Sequence, residues 1–248
     1  MFKAVIKSKL FKSVLDSLAS TVEEARFAIT DTGITIKCVD PANVLMTSVS
    51  LPDSAFEYYK ATTGLIGLDI IRLQDIVGSS DESDNVTLEI SEDNRLNLSS
   101  GNLKWTISLI DPTAIRAEPR IPEIDLPCMV KISGPEFLKI IKASLKVGDH
   151  IRLGVTDSTF VAHAGDNLSG VTAKIPSSEL LGFRDGEASS LFSLDYLDDM
   201  SKASKKVSEV QLELGQDYPM RMLFNLNEAV SGSPVEMTYL MAPRIEQD

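Results

Sequence analysis

The sequence of 248 residues contains the same pattern twice. Similar or identical residues recur at a nearly constant distance along the chain, 126 positions for four matches and 124 for a fifth. The matches are Phe11 with Phe137, Asp31 with Asp157, Asp40 with Asp166, Leu68-Asp69 with Leu194-Asp195, and Val86 with Val210. A repeat that extends over the whole chain predicts two domains of similar fold.

Each half contains a helix, a group of strands, a second helix and further strands. In residues 8–20, Phe11, Val14, Leu15 and Leu18 recur with the spacing of one helical face. The other predicted helices lie at 68–77, 137–145 and 194–200, and the predicted strands at 25–29, 34–39, 44–51, 86–90, 95–99, 103–109, 151–155, 159–164, 171–175, 210–214, 220–224 and 235–240. The fold class is therefore α+β, with two helices packed on antiparallel sheet in each of two similar domains.

A proline-rich stretch, residues 111–127, separates the two halves. Its four prolines remove backbone donors and favour extended chain, as in a plain linker. However, Ile115, Ile121, Ile124 and Leu126 are more apolar than a plain linker requires, so we expect the stretch to pack against a domain. The predicted organisation is an N-terminal domain at 1–110, a connecting loop at 111–127 and a C-terminal domain at 128–248.

The charges are distributed unevenly over an acidic chain. The formal net charge of −12 repels nucleic acid on average, so binding to DNA requires a local basic surface. Acidic residues concentrate in predicted loops, whereas Lys139, Lys142 and Lys146 follow one side of the third helix. Taken alone, this pattern is equally typical of an ordinary solvated helix face, and acidic residues also occur on these helices.

The sequence contains none of the common catalytic or phosphate-binding motifs. Its two histidines lack partners at metal-ligand spacing, and no phosphate-binding loop or nucleophile elbow occurs. We therefore predict no enzyme activity, no metal and no cofactor. The rival hypothesis is a small α+β enzyme or ligand-binding protein that uses the adjacent carboxylates of Asp198 and Asp199.

Two further features predict the cellular setting. No apolar run approaches the roughly 20 residues that span a bilayer, so we expect an intracellular protein with no membrane partner. Cys38 and Cys128 are then expected to be reduced, buried thiols.

Several short motifs, in this order on a duplicated frame, resemble one known family. They are Phe2-Lys3-Ala4, the 39–44 turn Val-Asp-Pro-Ala-Asn-Val, the 133–137 run Ser-Gly-Pro-Glu-Phe, the 194–197 run Leu-Asp-Tyr-Leu and the closing 240–246 run Leu-Met-Ala-Pro-Arg-Ile-Glu. Over essentially its full length the chain resembles the proliferating cell nuclear antigen type of DNA polymerase sliding clamp, in its archaeal form. The resemblance implies a ring-forming DNA clamp fold, in which three copies join head to tail around duplex DNA, with helices inside and sheets outside.

The resemblance also implies three sets of functional residues. The DNA-facing positions are Lys12, Arg72, Lys139, Lys142, Lys146, Lys202, Lys205 and Lys206. The pocket for partner peptides comprises Val39, Asp40, Asn43, Val44, Met46, Pro119, Ile121, Pro122, Leu126, Pro219, Leu240, Met241, Ala242 and Pro243. The subunit interface comprises Leu103, Trp105, Ile107 and Leu109 on one edge strand and Val171, Ala173 and Ile175 on the other.

The implied role is that of a processivity factor in DNA replication and repair. Its partners are duplex DNA, bound without regard to sequence, and DNA polymerase, clamp loader, flap nuclease and DNA ligase, bound through short peptide motifs. An archaeal chain would be cytoplasmic and nucleoid-associated, and a eukaryotic one nuclear. A subunit of a hetero-oligomeric clamp remains the alternative. Ser13, Ala19, Asp75 and Gly78 replace basic residues that the family often has, so we expect a weaker DNA contact from the first domain.

Overall fold

Two units of similar architecture form the chain. The computed structural model describes residues 1–120, 124–166, 168–205, 207–226 and 234–245. Unit 1 comprises Met1–Pro41, Thr47–Arg120 and Asn225–Met237, and unit 2 comprises Ala42–Met46, Ile121–Phe224 and Thr238–Asp248. The predicted domain boundaries at residues 110 and 128 stay predictions.

The first half of the chain contains two helices among antiparallel strands. In chain order its elements are β1 (Phe2–Lys7), α1 (Ser8–Ala19), β2 (Glu24–Thr30), β3 (Gly33–Val39), β4 (Leu45–Pro52), β5 (Tyr58–Ala61), β6 (Gly64–Asp69), α2 (Ile70–Gly78), β7 (Asn85–Ile90), β8 (Arg95–Ser100) and β9 (Leu103–Ser108). Five strands form a sheet in the order β5-β1-β7-β8-β9, and β6, β2, β3 and β4 are neighbours in that order.

The second half repeats this order of elements. They are β10 (Cys128–Ile132), α3 (Gly134–Ser144), β11 (His150–Thr156), β12 (Thr159–Gly165), β13 (Gly170–Pro176), β14 (Gly182–Arg184), β15 (Ala188–Ser193), α4 (Leu194–Ser204), β16 (Val210–Leu214), β17 (Met220–Asn225) and β18 (Glu236–Met241). The strand orders β13-β12-β11-β15 and β14-β10-β16-β17-β18 match those of the first half. The predicted α+β fold with internal duplication is confirmed.

One of the matches that revealed the repeat is wrong. The starts of β2 and β11 are 126 positions apart, but the starts of α2 and α4 are 124 apart. Leu68-Asp69 therefore corresponds to Phe192-Ser193, the end of a strand, and not to Leu194-Asp195, the first turn of α4. The offset between the halves falls from 126 to 124 between β3 and β6. The connection from β12 to β13 is one residue shorter than that from β3 to β4, and β13 is one residue shorter than β4.

Helix α1 packs through the face that its apolar spacing predicts, but α2 does not. The sequence predicts Ile71, Leu73 and Ile76 as the apolar face of α2, and only Leu73 of these is buried. Phe11, Val14, Leu15 and Leu18 of α1 are buried. The second helix begins two residues later than predicted, because Asp69 accepts a hydrogen bond from the Arg72 backbone N–H at 2.8 Å and caps it. Its buried residues are Ile70, Leu73 and Val77, whereas Ile71 is 39% exposed.

The predicted hairpin turns have the backbone geometry that such turns require. Gly33, the first residue of β3 after the turn from β2, has a φ of 146°, and a Cβ there would lie 2.2 Å from the Leu51 carbonyl oxygen. In the equivalent turn between β11 and β12, Asp157 and Ser158 have φ values of 47° and 53°. Positive φ at both central residues is typical of the tight turns that join twisted antiparallel strands.

Candidate nucleic-acid interface and subunit edges

The helix pair α3–α4 carries the most basic surface predicted from the sequence. The two helices pack against each other and bury Phe137, Ile140 and Ile141 from α3 and Leu194, Leu197 and Met200 from α4. The lysines lie on the remaining side. Lys139 and Lys142 are exposed on α3, Lys146 is exposed in the turn that follows it, and Lys202 and Lys205 are exposed at the end of α4. We call these five residues the α3–α4 lysines; Lys206 lies outside the described residues.

A carboxylate lies between two of these lysines. The Lys142 Nζ atom lies 2.6 Å from Asp198 Oδ1, and the Lys202 Nζ atom lies 3.0 Å from Asp198 Oδ2. Lys202 also contacts Asp199 Oδ1 at 2.8 Å. The Asp198 side chain is only 17% exposed, whereas both lysine side chains remain about half exposed, at 50% and 54%. About half of each lysine side chain therefore stays exposed to solvent despite the pairing.

The electrostatics of this cluster favour its charged form. Partial burial acts to raise the pKa of Asp198, but hydrogen bonds from Lys142 and Lys202 outweigh it and lower the pKa. Hydrogen bonds to Asp199 and Asp198 raise the pKa of Lys202. Both carboxylates of the rival enzyme hypothesis are thus engaged by lysines. Among the residues that the structure describes, no group of three metal-ligating side chains exists.

The helix pair α1–α2 is less basic. Lys12 is half-buried, and its ammonium donates a hydrogen bond to the Ser80 carbonyl oxygen. Arg72 is exposed, but the nearby cross-helix contact joins two groups without positive charge, Gln74 Nε2 and Asp16 Oδ1, at 2.7 Å. Sequence reasoning missed Lys9, which is exposed on α1. Its spacing of three residues from Lys12 was the available signal.

The two strands predicted to join subunits are both terminal strands of their sheets. β9 ends the sheet of unit 1, and β13 ends a sheet of unit 2. On β9, Leu103 is 51% exposed, Trp105 is half-buried and Ile107 is buried; Leu109 lies one residue beyond the strand. Val171, Ala173 and Ile175 alternate along β13 and are all half-buried. A terminal strand has unpaired backbone groups along one side, and these can pair with another chain.

The predicted pocket residues differ in exposure. In unit 1, Val39 and Asp40 are buried and Pro119 is half-buried. In unit 2, the Ala242 backbone N–H donates to the Val44 carbonyl oxygen at 2.8 Å, which ties the C-terminal run to the 42–46 turn. Leu126, Leu240 and Met241 are buried, whereas Asn43, Val44, Met46, Pro219, Ala242 and Pro243 are exposed or half-buried. Ile121 and Pro122 lie outside the described residues.

Arginines hold the connecting loop, and sequence reasoning did not identify them. Arg26 donates to the Ile115 carbonyl oxygen, and Arg116 in the loop donates to the Asp40 carbonyl oxygen at 3.0 Å. Further along, Arg184 donates to the carbonyl oxygens of Leu126 and Pro127 at 2.7 and 2.9 Å. Ile115 and Leu126 are buried, as predicted for a loop that packs against a domain. Backbone carbonyls carry no sequence signature, so these partners could not be read from residue types.

No helix among the described residues is long and apolar enough to cross a membrane.

Comparisons with known proteins agree with this arrangement. Residues 1–101 match the family model "Proliferating cell nuclear antigen, N-terminal domain", and residues 120–243 match "Proliferating cell nuclear antigen, C-terminal domain". The DNA polymerase sliding clamp of Methanothrix thermoacetophila is 49% identical over 249 aligned residues, and that of Methanosarcina barkeri is 43% identical; both alignments cover all of each chain.

A solved structure gives the same result at the level of the fold. The structure of "A. fulgidus PCNA", bound to the C-terminal region of FEN-1, superposes with a TM-score of 0.94 at 33% identity, with complete coverage of both chains. PCNA from Thermococcus kodakaraensis superposes with a TM-score of 0.89 at 23% identity over 98% of this chain and all of its own. The chain belongs to the proliferating cell nuclear antigen family of DNA polymerase sliding clamps, which are non-enzymatic processivity factors.

Proposed function

We propose that three copies of this chain close head to tail into a ring, and that duplex DNA passes through the ring against the α3–α4 lysines. The observation that carries the proposal is the exposed basic face of one helix pair in a chain with a net charge of −12. Lysines that contact phosphates do not read bases, so the contact is independent of sequence and weakens as salt rises. Such a contact permits the ring to move along DNA.

Ring closure would pair β9 of one copy with β13 of the next. Each copy has both terminal strands, so head-to-tail pairing satisfies both at once and leaves no unpaired edge at these two positions. Leu103 and Trp105 would supply apolar contact on one side, and Val171, Ala173 and Ile175 on the other. In this ring Lys12, Arg72 and Lys206 would also face the DNA, with a smaller contribution from the α1–α2 pair.

Partner proteins would bind through short peptides at the pocket defined above. The A. fulgidus protein binds the C-terminal region of FEN-1, and we extend that mode of binding to peptides of DNA polymerase, clamp loader, flap nuclease and DNA ligase. The accessible residues Asn43, Val44, Met46, Pro219 and Pro243 would contact the peptide, and the buried Leu240 and Met241 would support them. The archaeal relatives favour a cytoplasmic, nucleoid-associated protein.

The lysine face is tested by removing three of its charges. In the variant Lys139→Ala/Lys142→Ala/Lys146→Ala we expect the affinity for duplex DNA to fall about tenfold or more, because up to three phosphate contacts per copy are lost. Stimulation of a DNA polymerase should fall with it, while the mass in solution stays that of the wild-type ring.

A matched control removes the same charge from a sheet. Lys3, Lys7 and Lys60 lie on β1 and β5, which the proposal places on the outer wall. Alanine at these three positions should leave DNA affinity within about twofold of wild type. Equal losses in both variants would show a general effect of net charge and would contradict the proposed interface.

A further inference from the structure

Asp198 forms ion pairs with both helices of the proposed DNA-binding face. It belongs to α4, yet its two carboxylate oxygens contact a lysine on each helix, Lys142 at 2.6 Å and Lys202 at 3.0 Å. Two of the five α3–α4 lysines therefore share one partly buried carboxylate. No other α3–α4 lysine has a carboxylate partner of comparable burial among the described residues: Lys139 contacts Glu136 at 3.3 Å, and the Glu136 side chain is 43% exposed.

The equivalent contact in unit 1 shows which residue types can join the two helices at the position of Asp198. Asp16 and Lys142 occupy equivalent positions 126 residues apart, and Gln74 and Asp198 occupy equivalent positions 124 residues apart, in agreement with the offsets of their helices. In unit 1 the amide of Gln74 joins α2 to α1 through Asp16 at 2.7 Å. In unit 1 the residue equivalent to Asp198 is thus an uncharged amide, and the carboxylate of the contact lies on the other helix, so the position of Asp198 itself does not require a negative charge to join the helices.

We propose that Asp198 limits the strength with which the α3–α4 lysines hold duplex DNA. The inference rests on the proposed function, because it assumes that these lysines face the duplex. A phosphate that approaches Lys142 or Lys202 must share their ammonium groups with the carboxylate, and it is also repelled by the carboxylate charge. A moderate attraction suits a ring that must move along DNA after it closes.

The variant Asp198→Gln tests this proposal with the residue type found at the equivalent position of unit 1. Its amide oxygen can still accept a hydrogen bond from Lys142, but the negative charge is gone. The binding probe is a short linear duplex with open ends, which a closed ring can thread. Its affinity should rise about threefold or more, because one negative charge is removed at roughly 7 Å from a DNA phosphate in water. The slope of log affinity against log salt concentration should also steepen.

Two further variants make the result specific. Glu89→Gln removes the same charge from a carboxylate that pairs with a single lysine, Lys3 at 3.3 Å, on the sheet of β1 and β7. It should leave both the affinity and the salt slope unchanged. Asp198→Asn repeats the test with a shorter amide, in case the longer side chain disturbs the helix pair.

The outcomes separate the two proposals. Tighter binding and a steeper salt slope in both Asp198 variants, but not in Glu89→Gln, would support the role of Asp198. Unchanged or weaker binding in both, together with weaker binding in the triple lysine variant, would overturn it and leave the DNA interface intact. If the triple lysine variant binds as wild type, the proposed interface itself fails.

Discussion

Cys38 and Cys128 illustrate how position alone determines the chemistry of a side chain. Both thiols are free and buried. Burial raises the pKa of Cys38 from 9.0 to about 12, and burial, with a further contribution from Asp185, raises the pKa of Cys128. Neutral thiols are poor nucleophiles, so neither cysteine is suited to covalent chemistry in the folded chain.

This predicts that alkylation reports unfolding. At about pH 8 the folded protein should react with iodoacetamide at least about tenfold more slowly than the chain in concentrated guanidinium chloride, because the folded thiols keep their protons. The folded thiol of Cys38 keeps its proton to a higher pH than the unfolded thiol. The contribution of Cys38 to the free energy of unfolding is therefore constant below pH 9 and becomes destabilising as the pH rises above 9. Mass spectrometry measures the alkylation; equal rates in the two states would contradict the assigned burial.

Individual site residues were predictable where their role depends on spacing along one helix. Lys139 and Lys142 are exposed because the apolar period of α3 places them opposite its buried face. The role of Asp198 was not predictable, because it depends on the distance between α3 and α4. The same pattern that suggested an acidic catalytic pair, Asp198 and Asp199, proves to be part of an ion-pair cluster with lysines.

The sequence predicts those helices and hairpins whose apolar pattern extends over many residues and whose packing or pairing partner is next to them along the chain. The strands β2, β3, β11 and β12 agree with prediction to within a residue or so. Six strands were missed, namely β1, β5, β6, β10, β14 and β15. The two shortest of them, β5 and β14, have no buried residue, and β5 pairs with β1 about 60 residues away. Whether so short a segment forms a strand is decided by such distant partners more than by local preference.

The edge strand β9 gives a test of assembly. Trp105→Ala should weaken self-association by about 2 kcal/mol per interface, or roughly thirtyfold, because a half-buried tryptophan at a strand edge is a strong candidate for an interface anchor. Mass measured over a dilution series would show dissociation at higher protein concentration than for wild type. The variant Trp105→Phe keeps an aromatic ring, so it should dissociate at a concentration between those of wild type and Trp105→Ala. Identical dilution curves for all three proteins would refute the assigned role.

For the whole molecule, the distribution of charge is more informative than its sum. A net charge of −12 alone predicts a protein that avoids DNA. The fold reconciles this with the family's function, because it gathers the α3–α4 lysines on one helix pair and leaves most acidic residues in loops. A ring with such a face would attract the duplex inside and repel it elsewhere, so that topological linkage, and not affinity, would keep the protein on DNA.

The most direct test combines the mass of the protein in solution with its retention on DNA of two shapes. A closed ring of three copies has three times the chain mass of 27.0 kDa, and we expect that mass in solution. We also expect that protein loaded by a clamp loader stays on nicked circular DNA and leaves within minutes when the circle is cut once. A single-chain mass, or equal retention on circular and linear DNA, would show that three copies of the chain do not encircle the duplex.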